Sequence, residues 1–214
     1  MKNRAQTKKL VGMASLIAII VVLQLMSNYI SFGSVSITLA LIPIVVGAII
    51  YGPKAGFILG LFMGGMAIVA PSTLAVFMPH NPWATIILCL LKAGAAGLVA
   101  GLAFKLLKKY NFVAAIITAS VLAPLVNTGI FLLGAALFFR DVYGAENFDS
   151  AFTLIGGMIL VNFLIEFAVN ALLSPAVTQL VRILGRSYDL GFTLDIDRYD
   201  NEANEIDENN EVTE

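Results

Sequence analysis

WATIILCLLKAGAAGLVAGLAFKLL, residues Trp83–Leu107, is the run from which the architecture follows. Its only charges are Lys92 and, close to the end, Lys105. A bilayer crossing takes about 20 mostly apolar residues, each advancing a helix by about 1.5 Å. This run is therefore long enough to cross. Similar runs lie on either side of it. Phe112–Phe139 follows, and Ala55–Ala70 precedes. Further out are Ser36–Tyr51, short and carrying Pro43, then Leu10–Asn28 and Ala151–Leu184. The last exceeds one bilayer, so it is expected to tilt, to kink at Ser174-Pro175 or to begin an interfacial extension there. The whole chain agrees: of 214 residues 59% are hydrophobic and 13% charged, with mean hydropathy +0.90. Soluble domains are roughly 45–50% apolar and about 25% charged. The reading is an all-α membrane protein, a six-transmembrane-helix bundle embedded in a lipid bilayer. MKNRAQTKKL and the apolar run after it have the look of a signal peptide, but no clear small-residue cleavage pattern follows, so a retained first helix is expected.

Charge divides the chain. From Asp189 onward there are ten of the fourteen acids and one base, Arg198. Residues 1–188 form the expected membrane domain, and 189–214 an acidic tail, expected to be disordered and cytoplasmic. Placing the N-terminus inside puts eleven of thirteen bases on the inner side and leaves only Arg140 in an outer loop, with Lys92 inside a helix. By the positive-inside rule both termini are then cytoplasmic, which fits an even number of spans. The outer segment Pro71–Pro82 is apolar and proline-rich, so it is expected to cap the bundle.

Small residues mark the helix contacts. Gly52, Gly56, Gly60 and Gly64 recur every four residues, as do Ala93, Gly97 and Gly101. Residues four apart share a helix face, and small ones permit close backbone approach. Internal packing is the plain explanation. Ala14 and Ala18 form a similar pair near the basic end of the first span.

Two ionisable groups fall at membrane depth, Lys92 and Glu166, where charge is costly and commonly functional. Asn127 and Thr128 accompany them, and Asn162, Glu166 and Asn170 line one stripe of the last helix. Counting from the outer face, Lys92 lies about 13 Å down, Asn162 about 15 Å, Asn127 about 18 Å and Glu166 about 21 Å. These groups are expected to converge in an outward-opening pocket. The alternative is a structural Lys92–Glu166 pair, with the asparagines tying helices together. His80 and Asn81 lie in an outer loop and are the remaining candidates for ligand contact. Enzyme chemistry has little support. His80 is the only histidine, and HExxH, a phosphate-binding loop and a nucleophile elbow are absent from the sequence. Cys89, the single cysteine, makes no intramolecular disulfide and no cysteine-based metal site. No cofactor, metal or nucleic acid is implied.

TLALIPIVVGAIIYGPKAGFILGLFMG (Thr38–Gly64) and NPWATIILCLLKAGAAGLVAGLAFKLLKK (Asn81–Lys109) occur in order with PLVNTGIFLLG (Pro124–Gly134) and NFLIEFAVNALLSP (Asn162–Pro175). Together, over roughly residues 8–186, they resemble the substrate-binding S components of energy-coupling factor vitamin transporters. The resemblance implies a six-helix bundle in the cell membrane that captures a vitamin from outside. It implies partners too: a coupling transmembrane subunit and two ATPases, which drive toppling of the S component. Ala14 and Ala18 match the family's first-helix motif for contact with the coupling subunit. IPIVVGAIIYGPKAGFILGL most resembles the pantothenate-type branch, and an acidic ligand would suit Lys92. SVSIT (Ser34–Thr38) stands where riboflavin-type proteins carry an acidic stretch. Thiamine-type sites are rich in tryptophan, and here only Trp83 is available. The histidine motif of the nickel and cobalt branch is absent. Another vitamin, such as riboflavin, folate or a pyridoxine-like compound, and a non-transporting membrane scaffold are the alternative readings.

Overall fold

The computed structural model describes residues 2–29, 31–32, 35–36 and 39–188, and for some residues within its helices, Asn162 and Asn170 among them, the backbone alone. The acidic tail 189–214 lies outside the described residues, as do Ser34, Ile37 and Thr38. Six helices follow one another: α1 (Lys2–Tyr29), α2 (Leu41–Tyr51), α3 (Pro53–Ile68), α4 (Pro82–Leu107), α5 (Phe112–Phe138) and α6 (Phe148–Tyr188). A π-helical turn, Thr73–Phe77, precedes α4, and a 3-10 turn, Arg140–Tyr143, precedes α6.

Local chemistry sets the boundaries. Asn81 and Asn111 cap α4 and α5, each side-chain oxygen accepting the N–H three residues on, Ala84 at 3.1 Å and Ala114 at 2.9 Å. Pro82 and Pro53 occupy first-turn positions, where a missing N–H is harmless. Gly52 separates α2 from α3 at φ 92° and ψ 172°, a conformation reached essentially only by glycine. It is the joint between two helices, whereas its spacing alone had grouped it with the packing glycines.

Helix lengths are uneven. Lys9–Ser27 within α1, and α4 and α5 throughout, are long and apolar enough to cross a membrane. α2 has 11 residues, about 16 Å of helix against a core of about 30 Å. It starts later than the expected Ser36 because Val35–Ser36 pair antiparallel with Ser31–Phe32. Protein surrounds α2: Leu41 and every residue from Pro43 to Ile50 are buried, and α1, α3, α4, α5 and α6 all pack against it. A helix that is apolar on all sides belongs in such an interior position. α6 runs for 41 residues, about 61 Å, with Pro175 inside it.

The tightest seam joins α3 to α4. A methyl group added to Gly60 would collide with the Ala93 carbonyl, and one on Gly56 with that of Gly97. On Gly64 it would stand 2.6 Å from the Cys89 oxygen. Backbone therefore rests on backbone along three successive turns. This fixes the rotation of α4 and so decides which neighbours Lys92 meets.

Candidate functional site

α4 carries Lys92 into a small cavity beneath the Thr73–Phe77 turn. Cys89 and Thr85, one and two turns before it, share this face, Phe131 closes it from α5, and Thr73 and Phe77 cover it from the π-helical turn. The cavity measures about 30 Å³, room for roughly one water molecule. Three rings wall it. Phe77 stands nearly perpendicular to Phe131, with centroids 5.8 Å apart, and to Phe139 at 5.1 Å. The expected cap over the bundle is thus anchored through Phe77, while Leu74, Ala75 and Val76 beside it are exposed.

Lys92 places its ammonium 4.7 Å from the centre of the Phe131 ring. Among the described residues, no carboxylate stands within 4.0 Å of it. Glu166 is buried and lies elsewhere, in the α5/α6 seam, where its Oε2 accepts a hydrogen bond from Thr128 Oγ1 at 3.5 Å. The two charges therefore do not form the structural pair of the alternative reading. The cause lies in α5. Thr128 and Leu132 face α6, where Leu132 approaches Gly156. Phe131 and Gly134 face α4, where Gly134 meets Leu88. At about 100° per residue, Thr128 with Leu132 and Phe131 with Gly134 are centred about 110° apart around the helix. Lys92 and Glu166 consequently sit against different faces of one helix.

Asn127 is four residues before Phe131 on the same stripe and buried, and among the described residues its Oδ1 has no hydrogen-bond partner. An unsatisfied buried amide oxygen costs about 1–3 kcal/mol. Asn127 itself does not line the cavity, whose hydroxyls beside Lys92 come from Thr73 and Thr85. Asn162 and Asn170 lie on α6 one turn either side of Glu166, and their side chains are outside the described set. Asn81 spends its side-chain oxygen on the α4 cap. His80 is exposed, its Nδ1 2.9 Å from the Val76 carbonyl oxygen, and it does not line the cavity. Sequence reasoning passed over Phe131 and Phe77. Spacing did hold a signal for Phe131, one turn beyond Asn127, but an aromatic residue in an apolar run looks like packing.

Ala14 and Ala18 lie on the exposed side of α1 with Val11, Ser15 and Val22. The opposite side, carrying Ile20 and Gln24, is buried.

Residues 8–178 match the family model described as ECF transporter, substrate-specific component. No curated protein matches, and no solved structure does.

Proposed function

The chain belongs to the substrate-specific components of ECF, energy-coupling factor, transporters, and from that premise we propose that it captures a small carboxylate-bearing vitamin, pantothenate, from outside and delivers it inward when docked on a coupling subunit served by two ATPases. The reading includes six membrane helices in the cell membrane with both termini cytoplasmic. The observation that carries the ligand assignment is Lys92. A cation at membrane depth requires compensation, and here it rests on an aromatic face in a cavity under an outer cap. A carboxylate entering that cavity supplies the missing counter-charge. Asn127, with its unpartnered oxygen, suits a ligand hydroxyl or amide N–H. Glu166, beside Thr128 in the α5/α6 seam, and Asn162 and Asn170, each four residues from it in sequence, are the further candidates for ligand contact. His80 and Asn81 belong to the rim of this site. With about 30 Å³ present, entry of a vitamin requires the Thr73–Phe77 cap to move.

The test is a binding titration of detergent-purified protein with pantothenate, run beside thermal melts of wild type, Lys92→Met and Glu166→Gln. Lys92→Met leaves the Thr128–Glu166 hydrogen bond in place and should fold. Its affinity should fall roughly ten- to a hundredfold, the loss of a charge-assisted hydrogen bond of about 1.5–3 kcal/mol. Unchanged affinity in the folded variant would remove Lys92 from the site.

Orientation has its own expected result. Ser72 is exposed in the outer cap and Lys109 in the α4–α5 turn, while native Cys89 is buried and gives little background. A membrane-impermeant maleimide should label Ser72→Cys in intact cells and leave Lys109→Cys unlabelled until the cells are broken. The reverse pattern would place the cavity on the cytoplasmic side.

A further inference from the structure

We propose that Phe131 is the positioning residue for Lys92, and that by standing in for a carboxylate it keeps the cavity positively charged and so selective for a ligand bearing a single negative charge. This rests on the reading that the cavity is the vitamin site. A lysine at this depth has two routes to compensation. It can pair with an acid, or its flexible stem can carry the ammonium back toward the outer surface. The first is not taken: Glu166, the only acid in the spans, bonds Thr128 on another face of α5. The second is opposed by Phe131, whose face holds Nζ at 4.7 Å. Attraction between an ammonium and a ring quadrupole strengthens when both are shielded from water. Unlike a carboxylate, a ring adds no charge, so the full positive charge persists in the cavity. Phe77, set perpendicular to Phe131 at 5.8 Å, holds that ring in place from the cap.

Charge selectivity follows. Had Lys92 paired with Glu166, the cavity would be neutral, and a carboxylate would have to break an existing ion pair. With a ring as partner, an incoming carboxylate finds the ammonium already in position and without a competing anion. A neutral ligand of equal shape can accept a hydrogen bond from the ammonium but brings no counter-charge to it.

Two measurements decide the matter. The first needs no ligand: a double-mutant cycle of Lys92→Met and Phe131→Leu, read by thermal and denaturant midpoints. Phe131→Leu should lower the midpoint more in the protein that retains Lys92 than in the Lys92→Met background. Additive effects would overturn the proposal. The second compares pantothenate with panthenol, the neutral alcohol in which CH₂OH replaces the carboxylate. Wild type should favour pantothenate by about tenfold or more, Phe131→Leu should lose most of that preference, and Phe131→Tyr, which restores a ring, should keep it. An equal preference in wild type and Phe131→Leu would also overturn the proposal. If neither compound binds any folded variant, the pantothenate reading fails, while the cycle still reports on the lysine–ring contact.

Discussion

Replacing Ala14 and Ala18 together by Trp should reduce vitamin uptake to background while leaving binding to the purified protein unchanged. Both alanines are exposed, and they sit on a stripe of α1 with Val11 and Val22 that faces away from the bundle. Two indoles would therefore disturb no internal contact. They would prevent a partner helix from approaching at the short distance that alanine allows. Lipid tolerates the same change, so the effect should depend on which face is altered. Leu106→Trp is a suitable control, because Leu106 is also strongly exposed but lies on α4. The double variant should remain folded and bind pantothenate as wild type does. Normal uptake by a stably expressed Ala14→Trp/Ala18→Trp protein would remove this face from the docking surface.

The second large effect is on folding. Gly60→Val should cost at least about 3 kcal/mol, at or beyond the usual upper limit for overpacking, because the clash is with backbone and cannot be relieved by a rotamer change. A Cβ at Gly60 meets the Ala93 carbonyl carbon at 2.7 Å, whereas one at Gly65 has nothing within 4 Å. Gly65→Val makes the same change in helix propensity on the same helix, so the difference between the two isolates the α3–α4 seam. Gly60→Val should give little monodisperse protein and a strongly lowered melting midpoint, with Gly65→Val close to wild type. Similar midpoints for the two would show that the seam opens at little cost.

Part of the site was legible in the chain and part was not. Lys92 and Glu166 stood out because charges in apolar runs are rare and expensive. Their expected depths came from helix rise alone. Their partners did not. A lysine's spacing gives the face it occupies on its own helix and nothing about the rotation of the next. Phe131 holds the ammonium because α4 is turned by the glycine seam with α3, and because α5 presents Phe131 and Gly134 toward α4. Thr128, three residues before Phe131, belongs to the α6 side and takes Glu166. His80 and Asn81 attracted attention as polar residues in an outer loop. In the structure Asn81 also caps α4, and His80 is an exposed residue just before it.

The membrane character, the order of the helices and the family membership were determined by the sequence itself. Each depends on local quantities: the length of an apolar run, the position of a charge, a series of short motifs. A backbone that cannot hydrogen-bond to lipid must satisfy itself as helix, so apolar length alone predicts the elements. Tertiary structure decided the rest. It enclosed the 11-residue α2 among five other helices, made Gly52 a joint, and placed Lys92 and Glu166 in separate seams. The reason is geometric: helix period sets which residues share a face, but only close packing between helices sets which faces meet.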